Sequence, residues 1–461
     1  MRSFSVQSAD TNIGPSQSNS GSAMLSRDDI LKTMQYERFH ISEPLNTTGK
    51  TPLKITYQYA GGSAPGDLPT SAEYDGWRRM KEAEKARFEE ALAHFESYLN
   101  VDFVQVKRAS DPDLNVGVIS LPGATIGSGG YSIRYQGDRI TEWDGFVAFD
   151  ATLDLSQDRY TDLLLHELGH AMGLQHPFEA DTPIPDQYEN NLYSLMSYSA
   201  NPHNGSHSDA LMLFDVLALQ DIWGAAVSNP DDSRYTGCRT KTVDTIWDSG
   251  GIDALDATGR TNAVTLDLRQ GAFSSFDAEK DVVVTFGTQI ENAYGAKAND
   301  RVIGNDLDNL LRGHGARDLL AGKAGDDRLE GGSGGDTLWG DHGDDLMLGG
   351  RGGDRMRGGA GDDRLSGNRG QDRLDGQSGD DFLIGGRGKD VFIFKNQGGA
   401  DTVGDFKPGK DMLNIIGHGD REDLLSRAHD TDKGLLFDFG ADDSLLLVNV
   451  TLSGLGDDFL V

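Results

Sequence analysis

The chain has 461 residues, of which 37% are hydrophobic and 25% are charged, as is usual for globular proteins. Its 74 acidic and 42 basic side chains give a formal net charge of −32, which argues against binding to nucleic acid or to an anionic membrane surface. A single cysteine, Cys238, excludes an intrachain disulfide framework, and no apolar run reaches the roughly 18 residues that a membrane-spanning helix needs.

The first 24 residues are rich in Ser, Asn and Gly and have little apolar surface to bury. We therefore expect residues 1–24 to be disordered, and a removable pro-segment is one role that fits them. Arg2 is the one positive charge in this stretch and no apolar run follows it, so a Sec-type signal peptide is not expected.

The next two hundred or so residues predict a sheet with long helices. Alternating apolar residues predict a strand at 53–59, and shorter strands are predicted at 116–120 and 131–135. Apolar residues spaced mostly three or four apart predict one long amphipathic helix from Glu73 to Leu99. This combination indicates an α/β or α+β domain that ends near Ala226.

The most informative segment is Leu-His-Glu-Leu-Gly-His-Ala-Met-Gly-Leu-Gln-His-Pro, from Leu165 to Pro177. His166 and His170 are one helical turn apart, so both imidazoles can reach the same ion. Gly173 provides an exit from the helix, and His176 then supplies a third nitrogen. The pattern predicts a zinc site.

The apolar residues of this helix predict its orientation. Leu164, Leu168, Ala171 and Met172 form one stripe, which leaves His166 and His170 on the opposite side, facing a cleft. Two histidines at this spacing could also be a chance match or structural histidines that bind no metal. The third histidine, the glycine exit and the outward orientation argue against it.

The second half of the chain is a nine-residue repeat. Aspartate recurs with this period, Asn309 takes one of its places, a glycine stands five residues before each position, and an apolar residue stands two residues after it. The aspartates are Asp300, Asp318, Asp327, Asp336, Asp345, Asp354, Asp363, Asp372, Asp381 and Asp390. This is the nonapeptide pattern of calcium-binding parallel β-rolls.

The repeat chemistry predicts that folding depends on calcium. Glycine turns expose carbonyl groups, aspartates add anionic oxygens, and calcium takes six to eight such ligands. Without the ion the aspartates of successive turns would repel one another, so the roll should fold only when calcium is bound. A low-complexity linker is the alternative, but a linker would not keep an apolar residue in phase with every repeat.

Beyond Phe392 the period stops, and strand-like segments at 391–394, 412–416, 435–439 and 445–450 are expected to cap the roll. We therefore predict an α+β two-domain protein, with a sheet-and-helix domain at 25–230 and a parallel β-roll or β-sandwich at 231–461 that includes the cap. The terminal acidic residue and Phe459-Leu460-Val461 are typical of a type I secretion signal, and an ordinary last strand is the alternative.

Taken together, these motifs resemble the serralysins, secreted bacterial zinc endopeptidases of the metzincin clan. The resemblance rests on the zinc motif, on Ser-Leu-Met-Ser-Tyr at 194–198, on Ile-Trp-Asp-Ser-Gly-Gly at 246–251, on Ile-Glu-Asn at 290–292, and on the repeats and the C-terminal residues. It implies a metzincin fold for the first domain.

The resemblance also implies roles for residues outside the zinc motif. Met196 would form the Met-turn beneath the zinc, and Tyr198 would place its phenol oxygen at the zinc as a ligand that leaves when substrate arrives. At the start of the roll, four positions match calcium ligands of the family. They are Asp248, Gly250, Asp253 and Glu291.

Three features depart from the family pattern. The roll has more repeats than is usual. Cys238 stands where a polar or acidic residue is expected, which puts one neighbouring calcium site in doubt. Residues 178–191 do not match the family closely. Substrate-specificity contacts therefore cannot be carried over from the family.

The zinc motif predicts a hydrolytic mechanism. Three neutral imidazoles leave zinc an open position for water, whose pKa the ion lowers, and Glu167 would be the general base. Tyr198 would help to stabilise the tetrahedral oxyanion. The strand at 131–135 resembles the edge strand beside which metzincin substrates lie.

The function predicted is therefore that of an extracellular endopeptidase with one catalytic Zn²⁺ and several structural Ca²⁺ ions, acting on proteins or peptides as a monomer exported by type I secretion machinery. Two other classes remain open. One is a calcium-dependent adhesion protein with an inert protease-like domain, and the other is a lipase or polysaccharide epimerase with the same roll. The intact zinc motif argues against the first, and the missing Gly-x-Ser-x-Gly motif argues against a lipase.

Overall fold

The structure is a computed structural model that describes residues 25–46, 51–68, 74–107, 111–237, 242–395, 398–440 and 443–455, together with the backbone of 459–460. The predictions made for residues 1–24, for Cys238 and for the terminal Val461 lie outside the described residues.

The N-terminal part combines five helices with six strands and one 3₁₀ turn at Asp158–Tyr160 within the described residues. The helices are α1 (Arg27–Met34), α2 (Glu37–His40), α3 (Glu82–Glu96), α4 (Thr161–Ala171) and α5 (Leu213–Trp223). The strands are β1 (Leu53–Tyr59), β2 (Asp75–Arg78), β3 (Val101–Gln105), β4 (Leu114–Ser120), β5 (Gly127–Gln136) and β6 (Arg139–Asp150).

These strands form one mixed sheet in the order β3-β1-β4-β6-β5, with β2 paired to β4. The strands β3, β1, β4 and β6 run parallel, whereas β5 is antiparallel to β6 and forms the edge. The predicted strands at 53–59, 116–120 and 131–135 are therefore present as β1, β4 and β5, and the last is the edge strand that was expected.

The helix predicted from Glu73 to Leu99 is wrong in its first third. Asp75–Arg78 is strand β2, and the helix α3 begins only at Glu82, where the buried Glu84 carboxylate accepts the Lys81 N–H (2.8 Å). Trp77 lies on the strand against Gly117, whose position leaves room for the indole ring. Trp77 fits the spacing of the apolar residues that predicted the helix, but its side chain packs on the sheet.

The C-terminal part is a parallel roll built from two long sheets, together with a separate sheet of three short strands. Its strands before the repeats are β7 (Arg234–Tyr235), β8 (Asp244–Ile246), β9 (Ala254–Asp256), β10 (Thr265–Asp267), β11 (Phe273–Ser274), β12 (Val282–Val284), β13 (Asn292–Tyr294) and β14 (Arg301–Ile303). Those of the repeats are β15 (Leu310–Gly315), β16 (Leu319–Ala324), β17 (Arg328–Ser333), β18 (Thr337–His342), β19 (Leu346–Arg351), β20 (Arg355–Ala360), β21 (Arg364–Arg369), β22 (Arg373–Ser378), β23 (Phe382–Ile384) and β24 (Val391–Lys395).

Successive repeats alternate between the two sheets, so two repeats make one coil of the roll. Leu311 therefore pairs in register with Leu329 on one sheet, and Leu320 pairs with Leu338 on the other. These leucines are fully buried between the sheets, as are the corresponding apolar residues of the other repeats. The predicted parallel roll is thus confirmed, and the apolar residue of each repeat points into its core.

The end of the roll continues both sheets rather than closing them with a separate unit. Its elements are β25 (Ala400–Val403), β26 (Met412–Ile416), α6 (Arg421–Ser426), β27 (Ala428–Asp430), β28 (Gly434–Gly440), β29 (Asp443–Val448), α7 (Leu452–Leu455) and β30 (Phe459–Leu460). The predicted cap strands are present as β24, β26, β28 and β29. Strand β30 pairs with β26, which is the last-strand alternative for the C-terminal residues.

Two large hydrophobic cores correspond to the two parts, and two residues beyond position 230 belong to the first core. Val243 and Val283 pack into the N-terminal core, and the Tyr98 hydroxyl donates to the Thr245 carbonyl (2.8 Å). The division at 230–231 stays a prediction. Among the described residues, no helix is long and apolar enough to cross a membrane.

Candidate metal centre

The chain leaves α4 through a turn that returns it towards the helix. Gly173 follows the last helical residues with φ +109°, and the N–H groups of Gly173 and Leu174 donate to the carbonyls of His170 (3.2 Å) and Gly169 (2.9 Å). This pair of bonds is the Schellman motif, which requires a left-handed residue and so favours glycine. A side chain at Gly173 would also meet Phe39 and Ile222 at 2.9 Å. The predicted helix exit is therefore present.

This turn brings the three histidines of the motif together. The Nε2 atom of His176 lies 3.1 Å from the Nε2 atoms of both His166 and His170. Around a tetrahedral zinc ion with bonds of about 2.0–2.1 Å, neighbouring nitrogens are about 3.3 Å apart. The three Nε2 atoms are thus spaced as a zinc ion would need them.

Each of these rings has a hydrogen-bond acceptor at its other nitrogen. The Nδ1 atoms of His166, His170 and His176 lie 3.2 Å from the Leu195 carbonyl, 2.9 Å from the Leu174 carbonyl and 2.8 Å from Glu179 Oε2. Placing the proton on Nδ1 satisfies each acceptor and leaves a lone pair on Nε2. Three lone pairs at this distance repel one another unless a cation lies between them, so the donor set fits a metal ion.

Burial keeps two of these rings uncharged. It lowers the pKa of His166 to about 4 and that of His170 to about 3. Neutral imidazoles are the form that binds zinc, so the site does not have to lose a proton from these residues before it binds metal.

Glu167 lies in the contact between α4 and the edge strand β5. Its side chain is 7% exposed, and burial raises its pKa to about 7. A Cβ at Gly127 would meet Glu167 Oε1 at 2.4 Å, and a Cβ at Gly129 would meet the Glu167 carbonyl oxygen at 1.9 Å. Glycine at these two positions therefore allows α4 to approach the strand closely enough to hold Glu167 in the cleft.

Met196 and Tyr198 lie on two sides of the histidines. Met196 is fully buried, and its Sδ lies 2.9 Å from the position that a Cβ of Gly169 would take, directly against the histidine helix. The Tyr198 ring is 64% exposed and lies 4.7 Å from the His176 ring and 5.9 Å from the His166 ring, measured between centroids. The structure places both residues around the histidines, and their roles stay predictions.

His166 opens into a cleft of about 740 Å³. His166, Glu167 and Tyr198 line it together with Gly127 at the start of β5. His170 is 8% exposed and lies deeper, so the predicted outward face of the helix holds for His166 more than for His170.

The aspartates of the roll form two ladders along the edges where the chain turns between the sheets. In each ladder the backbone N–H of one aspartate donates to Oδ1 of the aspartate 18 residues later, as from Asp327 to Asp345 (2.9 Å) and from Asp336 to Asp354 (2.8 Å). One carboxylate oxygen of each residue is thus committed to the backbone.

The second oxygen of these aspartates is buried and has no hydrogen-bond partner among the described residues. This holds for Asp318, Asp327, Asp336, Asp345, Asp354, Asp363, Asp372, Asp381 and Asp390, which are the predicted calcium ligands of the repeats. Burial raises the pKa of Asp336 to about 6 and that of Asp327 to about 8. A row of desolvated, unpartnered oxygens is the environment that a cation would stabilise.

The four residues predicted to bind calcium at the start of the roll also lie close together. Gly250 N–H donates to Asp248 Oδ1 (3.1 Å), and Asp253 N–H donates to Glu291 Oε2 (2.8 Å). Asp253 Oδ2 is buried without a partner, and burial next to the charges of Asp248 and Glu291 raises the pKa of Asp253 to about 7.

Two features of the site were missed in the sequence analysis. Glu179 holds the third histidine, and the fully buried Asp215 accepts hydrogen bonds from Ser194 Oγ (2.7 Å) and Leu195 N–H (2.7 Å), which fixes the loop before Met196. Burial raises the pKa of Asp215 to about 6. An acidic residue three positions after His176 was the signal available for Glu179, whereas nothing local indicated Asp215.

Comparison with known proteins adds independent findings. Residues 222–425 match the family described as Peptidase M10 serralysin C terminal. A protein named Serralysin from Photorhabdus luminescens is 30% identical over 54% of this chain and 58% of its own length. Metallopeptidase AprA from Pseudomonas marginalis is 27% identical over 57% of this chain and 62% of its own length.

Among solved structures, the extracellular lipase LipA from Serratia marcescens aligns with 38% of this chain and 40% of that chain at 20% identity, with a TM-score of 0.19 that is too low to support a shared fold. The chain spans 58% and 62% of the length of these two curated relatives. These matches support the resemblance found in the sequence: the chain is similar to proteins named as serralysins and metallopeptidases over a little more than half of its length, and residues 222–425 match a serralysin C-terminal family.

Proposed function

We propose that the chain is a zinc-dependent endopeptidase that hydrolyses peptide bonds of protein substrates. The observation that carries this proposal is the convergence of three Nε2 atoms, each on a ring whose Nδ1 already has an acceptor, beside the buried carboxylate of Glu167. The matches to proteins named as serralysins and metallopeptidases support it.

His166, His170 and His176 would hold the zinc ion, with Tyr198 as a further ligand in the resting state. The bound ion would supply Lewis acidity and a water molecule of lowered pKa. Glu167 would act as the general base that takes a proton from the attacking water and passes it to the leaving amine. A pKa near 7 suits a residue that must both accept and release a proton at neutral pH.

The substrate would bind as an extended segment beside β5. This strand pairs only with β6 among the described residues, so the backbone groups of its other edge are available to a peptide. Gly127 at its start lines the same cleft as His166 and Glu167, which would place the scissile bond next to the base. Tyr198, on the wall of the cleft, would then help to stabilise the oxyanion.

The roll would bind several structural calcium ions through the unpartnered oxygens of its aspartates, and a further ion through Asp248, Gly250, Asp253 and Glu291. Calcium is scarce in the cytosol and abundant outside, so an extended chain would be exported by type I secretion machinery and fold outside the cell. In this proposal the enzyme is a monomer, its protease domain is residues 25–230 and its roll domain is residues 231–461.

Cleavage of casein by the calcium-loaded protein tests the proposal. We expect fragments to appear, phenanthroline to prevent cleavage, and added zinc to restore it. Absence of cleavage by protein that is shown to contain zinc would contradict the peptidase function and would favour the inert adhesion protein. Hydrolysis of an ester substrate without cleavage of casein would favour the lipase instead.

A further inference from the structure

A second concave site lies on the outer face of the roll. It is a groove of about 330 Å³ that crosses β18, β20, β22 and β24 of the nine-stranded sheet. We call it the arginine groove, and its lining includes the aromatic and charged residues Trp339, Arg355, Arg357, Arg373, Asp375 and Lys395.

The register of the roll assembles this groove. Leu338, Met356 and Leu374 point into the core, so the residues on either side of each point outward. Trp339, Arg357 and Asp375 follow one another across three neighbouring strands, and Arg355 lies beside Arg373. Strands are about 4.8 Å apart, so Trp339 and Asp375 are about 10 Å apart along the sheet.

The three arginines of the groove are exposed and have no ion-pair partner among the described residues. This is unusual on a chain whose formal net charge is −32, where acidic side chains outnumber basic ones. Three guanidinium groups held around one depression form a site for anionic groups, since each offers a planar fork that matches a carboxylate.

Asp375 gives the groove a second kind of contact. It is 5% exposed, and Oδ2 accepts from Lys395 Nζ (2.6 Å), but Oδ1 is buried without a hydrogen-bond partner among the described residues. A buried carboxylate oxygen without a donor is costly, so a ligand that brings a hydroxyl group to it would be stabilised.

The half-buried indole of Trp339 at the end of this row adds an aromatic surface beside the charged groups. A ligand that matches all three features has carboxylates for the arginines, a hydroxyl donor for Asp375 and an apolar face for the indole. We propose that the arginine groove binds an acidic saccharide, a chain of carboxylated sugar units. This site is separate from the zinc cleft and does not depend on the peptidase proposal.

Calorimetric titration of the full-length, calcium-loaded protein with trigalacturonate at fixed calcium tests this inference. We expect one binding site, weaker binding as salt is raised, and no binding of the neutral maltotriose. Arg355→Gln should weaken binding about fivefold, the upper end for an exposed ion pair. Arg373→Gln in the same row should act in the same direction.

Arg364→Gln is the matched control, because Arg364 directly follows a repeat aspartate as Arg355 and Arg373 do but lies on the other sheet. It should leave the affinity unchanged. Circular dichroism of the calcium-loaded variants checks that they are folded.

Three results would overturn the inference. The first is that the folded protein does not bind the saccharide. The second is that Arg355→Gln and Arg364→Gln weaken binding equally, which would indicate binding through calcium or through general charge. The third is that a glutamate trimer binds as tightly as the saccharide, which would indicate a peptide ligand.

Discussion

The metal centre of the N-terminal part and the aspartate ladders of the roll differ in how their candidate metal ligands are arranged before an ion binds. At the centre, three histidine rings are held by acceptors at Nδ1, and two of them lie on the packed helix α4, so their geometry is set before an ion arrives. In the ladders, each aspartate commits one oxygen to the backbone and leaves the other buried and unpartnered.

This difference predicts two kinds of metal dependence. Removing an ion from the centre leaves histidine rings that keep their acceptors at Nδ1 and a helix that stays packed, so the fold should survive. Removing ions from the ladders leaves desolvated carboxylates, and the free energy of unfolding of the roll should fall. In the proposed function, the zinc ion would take part in catalysis, whereas the calcium ions would stabilise the core of the roll.

Glu167→Gln should have the largest effect, and only on activity. The amide cannot take a proton, so casein cleavage should fall about 10²- to 10⁴-fold. Zinc content by atomic absorption should stay unchanged, because the three histidines and their acceptors are intact. Full activity in the variant would mean that Glu167 is not the base.

The metal-free roll should be more stable in acid than at neutral pH. The folded-state pKa values of its aspartates, about 6 for Asp336 and about 8 for Asp318 and Asp327, lie above the ordinary value of 3.8. Between these values the folded roll binds more protons than the unfolded chain, so its stability falls as pH rises. The loss should be complete only above the folded-state pKa values.

Urea unfolding in a calcium chelator, followed by circular dichroism at several pH values between about 4 and 9, measures this trend. Calcium-loaded protein is the control and should lose the trend across the neutral range. Greater stability of the metal-free roll at the alkaline end would be the opposite of what the carboxylates require.

Glu179→Gln should weaken zinc binding about 10- to 100-fold, the usual effect of removing the partner of a ligating histidine. The amide can still accept from His176 Nδ1, so the ring should stay in place while its basicity falls. Competition with a chromogenic zinc chelator gives the affinity. Glu142→Gln, at an exposed ion pair with Arg134, is the control and should leave zinc binding unchanged.

Asp345→Asn should raise the calcium concentration needed for folding about tenfold at the affected sites, since a charged ligand is replaced by a neutral one. Asp344→Asn is a matched control, because Asp344 precedes it in the chain and is exposed. Calcium titrations followed by circular dichroism compare the two. Equal midpoints for both variants would mean that the buried oxygen does not bind the ion.

Periodic features of this protein could be predicted from its sequence because the same short residue pattern recurs in each repeat. The nine-residue period predicts a parallel roll with one apolar residue in phase in each repeat, and the structure shows how these residues stack, as in the pairing of Leu311 with Leu329. The zinc motif predicts the meeting of His166, His170 and His176 because a helical turn and a glycine exit are local.

The remaining features depend on contacts between distant segments. Gly127 and Gly129 are required by the approach of α4 to β5, and Asp215 acts through a loop about 20 residues before it. Strand β2 was mistaken for helix because the contact of Trp77 with Gly117 is not visible in local spacing. The arginine groove likewise appears only when the coils of the roll are stacked.

Hydrogen exchange measured by mass spectrometry on the full chain, metal-free and with calcium or zinc alone, tests the contrast between the two regions most directly. Calcium alone should protect the amides of β15 to β22, and zinc alone should leave them exchanging rapidly. The amides of α4 should be protected without added zinc. Slow exchange in the repeats at neutral pH without calcium, or an α4 that becomes protected only with zinc, would contradict the account.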